Sequence, residues 1–168
     1  RQTTPASCSP SAAATLLGLH GIRASEAEMV ELCLTGRRGT RRLGIYRGLK
    51  LKTRGTAWDV KPLSGGEREL WDPANSPALL LVRLDGNDEA AADRQRQGWM
   101  PGVGHAVVLL GTTEDHRLII GDPAVGLEYW SADDLRVLWQ GEGLRLVPRA
   151  GDLARRERRG FANLASPS

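Results

Sequence analysis

Residues 78–82 form a run of five consecutive apolar side chains, Ala-Leu-Leu-Leu-Val. Because no polar residue alternates with them, the run is typical of a central strand that is covered on both faces. Two further apolar runs, at 106–110 and 117–120, are separated by polar residues, which predicts a β-hairpin. Residues 57–63 and 143–147 are two more strand candidates. Together these segments predict a mostly antiparallel sheet.

The first third of the chain has a helical pattern instead. We predict a first helix over residues 10–20, a second that begins at a capping box opened by Ser25 and ends at Gly36, and a third over 41–52. A short helix capped by Ser131 is expected before the last strand. Helices that come first, followed by a mostly antiparallel sheet, are the α+β pattern.

Length and composition predict one globular domain. The chain has 168 residues, of which 40% are hydrophobic, and this length is sufficient to bury a core. No apolar run approaches the roughly 20 residues of a membrane span, so we expect a soluble segment. Because the chain has neither an initiator Met nor a secretory signal, we interpret it as part of a longer protein. The domain proper is assigned to 1–148, and 149–168 to a basic helix or linker.

The cysteine and histidine content argues against a disulfide framework and against a metal site. Cys8 and Cys33 are the only cysteines, and Cys33 lies in an apolar helical stretch that predicts burial. Three histidines and two dispersed cysteines show no metal-ligand spacing, so neither a metal nor another cofactor is expected. A Cys8–Cys33 disulfide in an oxidising compartment is the alternative, and it would disable the thiol of Cys8.

Positive charge is concentrated in residues 37–54, although the net charge of the chain is only +3. This segment carries eight Lys and Arg residues and no acidic residue. Such a stretch is compatible with nucleic acid or an anionic membrane, but aromatic residues are scarce apart from Tyr46 and the nearby Trp58. Since Leu43, Tyr46 and Leu49 recur at helical spacing as a core-facing stripe, we favour a solvated helix face near a membrane surface and no nucleic-acid partner.

Cys8 stands at a position that suits a nucleophile. Pro10 fits the opening turn of the first helix, because proline lacks only an amide hydrogen that would be unpaired there. Cys8 is therefore expected at or just before the helix N-terminus, where the partial positive charge favours a thiolate. The alternative is that Cys8 is a small buried hydrophobic residue, as many single cysteines are.

The two hairpin strands supply a base and a carboxylate for such a thiolate. His105 immediately precedes one strand, and Asp122 immediately follows the other. If Gly111 pairs with His116, then His105 lies opposite Asp122, and directly opposed residues share a face with Cβ atoms about 4.5–5.5 Å apart. A slip of one residue would send the side chains to opposite faces. Cys, then His, then Asp is the chain order of a papain-like triad.

Further short motifs occur in a fixed order along the chain. They are Gln2, Cys8-Ser9-Pro10, Leu19-His20-Gly21, Gly39-Thr40, residues 76–81, 104–109 and 121–126, and residues 131–139 followed by Gly141. This ordered set, which covers residues 1–147, resembles the bacteriocin-processing cysteine peptidases. These form the N-terminal domains of certain ABC exporters and also occur in stand-alone or membrane-tethered bacterial proteins.

The resemblance implies a papain-like fold and hydrolysis of peptide bonds, with double-glycine leader peptides as the substrates of the exporter-linked members. It implies that Cys8 attacks the scissile carbonyl, that His105 takes and returns the proton, and that Asp122 fixes the imidazole. Gln2 would donate its side-chain amide to the oxyanion, beside the backbone amide of Cys8. The implied partners are a peptide or protein substrate and a membrane or transporter domain of the parent protein.

Two features depart from that family. Ser9 follows the nucleophile where the family usually has glycine, which would crowd the turn or the approach of the carbonyl. Residues 83–104, here called the insertion, are longer than the usual connection before the His strand. We predict that the insertion forms a lid with Trp99 near the substrate cleft, and the alternative is a solvated surface excursion.

Two other functions fit the same residues. An acyltransferase similar to the phytochelatin synthases would use the same Gln, Cys, His and Asp order and the same acyl-enzyme. A peptide-binding module that has lost turnover belongs to a different class. Members of that kind typically lack the cysteine, so the intact set of Cys8, His105 and Asp122 argues against it.

Overall fold

The structure is a computed structural model that describes residues 1–85 and 89–150. The helices are α1 (Cys8–Leu19), α2 (Glu26–Leu32), α3 (Arg42–Lys52), α4 (Glu89–Arg96) and α5 (Ala132–Leu138). The strands are β1 (Trp58–Ser64), β2 (Ala78–Arg83), β3 (Gly104–Thr112), β4 (Leu118–Asp122), β5 (Gly126–Trp130) and β6 (Trp139–Pro148). Short 3-10 helices at Glu67–Trp71 and Pro73–Asn75 connect β1 to β2. Of the predicted C-terminal basic helix or linker, residues 151–168 lie outside the described residues.

The six strands form one sheet in the order β1-β6-β2-β3-β4-β5, and all five neighbouring pairs are antiparallel. The predicted α+β class is confirmed. None of the helices among the described residues is long and apolar enough to cross a membrane.

β2 lies in the middle of the sheet and is buried on both faces, as its apolar run predicts. Side chains at successive positions of a strand point to opposite faces. Leu79 accordingly packs with α1–α3, whereas Leu80 packs with the core on the other face. The neighbouring β3 divides in the same way, with Val108 on the helical side and Val107 on the other.

Helices α1, α2 and α3 cover one face of the sheet. Two glycines of α3 allow it to approach α2 closely. A Cβ at Gly44 would overlap the carbonyl oxygen of Cys33, and a Cβ at Gly48 would overlap the sulfur of the same residue. The close approach buries Cys33 and Ile45 to 1% exposure each. This packing fixes the layer whose first helix begins with Cys8.

The boundaries of α1 and α2 and the apolar stripe of α3 differ from the prediction. α1 begins at Cys8, two residues early, and Pro10 still falls within the first turn, where its missing amide hydrogen costs nothing. α2 ends at Leu32 rather than at Gly36. On α3 the buried stripe consists of Ile45, Gly48 and Leu49. Leu43 is 82% exposed, so its assignment to the core was wrong.

Two elements near the second face of the sheet were not predicted from the sequence. α4 lies inside the insertion, and β5 forms an edge of the sheet beside β4. The core on this face includes Trp99 and Trp130, both almost fully buried. The insertion is therefore packed against the sheet through its tryptophan, and the interpretation as a solvated excursion does not hold for Trp99.

The register of the β3–β4 hairpin was predicted wrongly. Near the turn, Gly111 pairs with Ile119 rather than with His116, and an irregularity at Leu110 then shifts the register by one residue. Beyond it Val108 pairs with Gly121, so continuing by one residue places Asp122 opposite Val107. His105 is two residues further along β3 and therefore shares a face with that position.

Candidate active site

Cys8 is the first residue of α1, directly after the N-cap residue Ser7. The first amide groups of a helix have no partner within it, and they carry the positive end of the helix dipole. The Cys8 side chain is nearly buried, at 7% residue exposure, and its sulfur lies 3.9 Å from Oγ of Ser9. The thiol thus lies where a negative charge on sulfur is favoured.

His105 and Asp122 are joined by a hydrogen bond of 2.9 Å between Nε2 and Oδ1. The contact is diagonal across the two strands, a distance that long side chains span. The Asp122 side chain is fully buried, and its Oδ1 also accepts the backbone amide of Ala124 at 2.6 Å. Because Nε2 is occupied by the carboxylate, Nδ1 is the imidazole nitrogen left for another partner.

The ionisation of the three side chains is coupled. Burial would raise the pKa of the Cys8 thiol, but its interaction with the His105 imidazole, helped by Ser9 and the amide of Ala106, leaves that pKa lowered. Burial would lower the pKa of His105, but the neighbouring Asp122 and Cys8 raise it to about 9. The arrangement therefore favours a thiolate beside an imidazolium, as nucleophilic catalysis by cysteine requires.

Cys33 provides a contrast within the same chain. Both cysteines are free in the structure. Burial raises the pKa of the Cys33 thiol to about 11, although Arg47 and the amide of Gly48 partly oppose this shift. The core position expected for Cys33 is confirmed by its 1% exposure. Only Cys8 of the two thiols has a lowered pKa.

Gln2 lies against the loop that follows Asp122. Its backbone amide donates to the carbonyl oxygen of Pro123 at 2.8 Å, and the Arg1 guanidinium donates to the carbonyl of Val125 at 2.9 Å. The Gln2 side-chain oxygen is buried and has no hydrogen-bond partner within the described part of the chain. The N-terminal segment is thereby attached to the loop next to the carboxylate.

Two adjoining cavities form a cleft over the thiol and the imidazole. The cavity beside Cys8 measures about 650 Å³, and the one beside His105 about 540 Å³. Both are lined by Ser9, Thr40 and Gly104. Each volume lies within the range of ligand-binding clefts in proteins. Of the described residues, no group of three or more His, Cys, Asp or Glu side chains is arranged to hold a metal ion.

No family model matches the chain, and no curated protein matches it. Solved structures do match. The peptidase domain of Streptococcus ComA, a bifunctional ABC transporter of a quorum-sensing pathway, is 24% identical with a TM-score of 0.67, over 88% of this chain and 96% of that one. A double-glycine motif protease from an AMS/PCAT transporter, solved with its leader peptide, is 16% identical with a TM-score of 0.68, over 88% and 89%.

A third match is the N-terminal peptidase domain of a toxin secretion ATP-binding protein from Vibrio parahaemolyticus, which is 10% identical with a TM-score of 0.60. The match covers 84% of this chain and 97% of that one. The chain has the fold of a papain-like peptidase domain. In a papain-like domain the thiol is carried by a helix and its partners by the sheet, and Cys8, His105 and Asp122 are distributed in this way.

Trp99 occupies a different place in this papain-like domain from the one expected. It is 4% exposed and does not line either cavity of the cleft. Its indole Nε1 donates to Oδ2 of Asp122 at 2.8 Å, and its ring lies 4.5 Å from the ring of His105. Trp99 therefore lies behind the His–Asp pair rather than in the lining of the cleft, where a substrate-binding residue would lie.

The insertion also reaches the cleft, through two residues that were not predicted from the sequence. Met100 and Val103 line the cavity beside Cys8 and are 48% and 43% exposed. The signal was present, because the apolar residues 99–103 end an otherwise polar insertion. Trp99 points into the core, whereas Met100 points toward the cleft. These directions depend on tertiary contacts, which a local sequence pattern does not reveal.

Proposed function

We propose that this domain is a cysteine endopeptidase in which Cys8, His105 and Asp122 form the catalytic triad. The observation that carries the proposal is geometric: the Cys8 thiol lies at a helix N-terminus, and the His105 imidazole is bonded at 2.9 Å to the buried Asp122 carboxylate. The interaction between thiol and imidazole, which lowers the pKa of Cys8 and raises that of His105 to about 9, supports the proposal. Structural ion pairs seldom combine a nucleophile, a base and an orienting group beside an open cleft.

The reaction begins when the Cys8 thiolate attacks the scissile carbonyl carbon. The carbonyl oxygen becomes an oxyanion, which the backbone amide of Cys8 and the side-chain amide of Gln2 stabilise in our proposal. The His105 imidazolium then gives its proton to the leaving amine as the C–N bond breaks, leaving a thioester on Cys8. Water, deprotonated by the neutral imidazole, hydrolyses the thioester and restores the ion pair.

We further propose that the substrate is a leader peptide with two glycines before the cleavage site. Cys8 is nearly buried, and Ser9 lines both cavities beside it. A glycine has no side chain to collide with these walls, so its carbonyl can approach the thiol closely. The similar fold of the double-glycine protease solved with a leader peptide supports this substrate class. The parent protein would then carry a membrane or transporter domain.

Cleavage of synthetic peptides tests the proposal. A peptide with a Gly-Gly junction is expected to be cut after the second glycine, and a matched peptide with Val-Leu at the junction is expected to stay intact. Mass spectrometry identifies the products, and adding an amine acceptor separates hydrolysis from acyl transfer. The control is Cys8→Ala. Cleavage by that variant at the wild-type rate, or no cleavage of the Gly-Gly peptide by the wild-type domain, would refute the proposed peptidase.

A further inference from the structure

The Asp122 carboxylate receives hydrogen bonds on both oxygens, from different parts of the chain. Oδ1 accepts from His105 at 2.9 Å and from the Ala124 amide at 2.6 Å. Oδ2 accepts from the indole Nε1 of Trp99 at 2.8 Å, its sole hydrogen-bond donor within residues 1–85 and 89–150. With both oxygens engaged, the plane of the carboxylate is fixed, and Oδ1 is held toward the imidazole.

The same indole also packs on the imidazole. The rings of Trp99 and His105 are 4.5 Å apart at an angle of 54°. One side chain of the insertion therefore contacts both members of the pair, one through its N–H and the other through its ring. The bond between His105 and Asp122 is itself shielded from water, since their side chains are 11% and 0% exposed, and a hydrogen bond is electrostatically stronger in such a setting.

Arg94 holds Trp99 in this position. Its guanidinium lies 5.1 Å from the ring of Trp99 and 5.0 Å from that of Trp130, in contact with both aromatic systems. The charge is paired with Glu128 at 3.4 Å and Asp134 at 3.7 Å, and the Arg94 side chain is only 13% exposed. Cation–π contacts gain strength in such a desolvated setting. The insertion is thus joined to β5 and α5 directly behind the site.

We infer that Trp99 is a positioning residue for the His105–Asp122 pair, and that the insertion supplies part of the catalytic framework. The inference deepens the proposed function and rests on it. Without the indole N–H, the carboxylate is free to rotate, and Oδ1 holds the imidazolium less well. The pKa of His105 then falls, and the pKa of the Cys8 thiol rises because its counter-charge is weakened. Substrate contacts are unaffected, since Trp99 does not line the cleft.

Two substitutions isolate the indole N–H. Trp99→Phe keeps an aromatic ring beside His105, and replacing Trp99 by benzothienylalanine keeps the whole bicyclic shape and loses the donor alone. For both we expect kcat about 10- to 100-fold lower with KM unchanged, as for loss of a hydrogen bond to a charged group. The alkaline limb of the activity profile should move to lower pH. Alkylation of Cys8 by iodoacetamide should require higher pH than in the wild type.

Trp130→Phe is the matched control, because Trp130 belongs to the same aromatic cluster but donates its N–H to Glu128 rather than to Asp122. We expect it to lower thermal stability and to leave kcat and both pH profiles at wild-type values. If both Trp99 variants had the kcat and the pH profiles of the wild type, the inference would be overturned. A decrease in kcat of the same size in Trp130→Phe would also overturn it. If the wild-type domain cleaved no peptide, the proposed function would fail, whereas the alkylation profiles would still decide the role of Trp99.

Discussion

Replacing Asp122 by asparagine tests how the carboxylate orients the imidazole of His105. The carboxylate accepts three close hydrogen bonds, from His105, from the amide of Ala124 and from Trp99, spread over both oxygens. Asparagine has one acceptor oxygen and one donor NH₂ group. In either orientation of its side-chain amide, the NH₂ group of asparagine points at a group that is itself an N–H donor. With the oxygen toward His105 and Ala124, the NH₂ group opposes the indole of Trp99.

The expected loss follows from these contacts. The variant loses a charged acceptor for the imidazolium, and a hydrogen bond to a charged group contributes about 1.5–3 kcal/mol. This corresponds to a decrease in kcat of about 10- to 150-fold, and the pKa of His105 should fall from about 9 toward its ordinary value. The opposed N–H groups add to the loss. KM should change little, because Asp122 is buried behind the imidazole and does not touch the cleft.

Steady-state cleavage of the Gly-Gly peptide measures the effect, and a double variant sharpens it. Adding Trp99→Phe removes the N–H that the asparagine NH₂ group opposes. Trp99→Phe should therefore lower kcat by a smaller factor in Asp122→Asn than in the wild type. A double-mutant cycle reports this coupling. Turnover by Asp122→Asn equal to that of the wild type would exclude Asp122 from the triad. If the effects of the two substitutions on the activation free energy were strictly additive, the claim that the two N–H groups oppose each other would be refuted.

Two more outcomes are expected. Peptidase activity should fall above about pH 9, because His105 loses the proton that the leaving amine needs. Alkylation of Cys8 should persist there, because the thiolate remains. A parallel decline of both rates would contradict the assignment of His105 as the proton donor. Gly48→Ala should lower the free energy of unfolding by about 1–3 kcal/mol, since its Cβ would overlap the sulfur of Cys33. Gly18→Ala in α1 meets no atom within 4 Å and serves as the control; equal urea midpoints for the two variants would contradict the packing argument.

Local patterns were sufficient to predict most of the sheet. The continuous apolar run of β2 and the polar break between β3 and β4 both depend on neighbouring residues, and both predictions agree with the structure. β5 was missed because it is a short edge strand with exposed Leu127 and Tyr129. An edge strand of this kind is defined by its partner β4 more than by its own composition.

The His–Asp contact was predicted from a register that was wrong. Without the irregularity at Leu110, continuing the Gly111–Ile119 pairing would place Asp122 opposite Val108, on the face that packs with the helices. The extra residue shifts the partner to Val107 and returns Asp122 to the face of His105. A bulge of one residue is not visible in a hydrophobic pattern, and the contact depends on it.

Because the site is divided between α1 and the sheet, the reactivity of Cys8 depends on how the helical layer packs on the sheet. The sulfur is fixed to the helix, whereas the imidazole and carboxylate are fixed to neighbouring strands. Any opening that lifts α1 from the sheet separates Cys8 from its counter-charge while the His105–Asp122 bond stays intact. The thiol would then return to the weak acidity of an ordinary cysteine, so a loosened domain is chemically inert before it is unfolded.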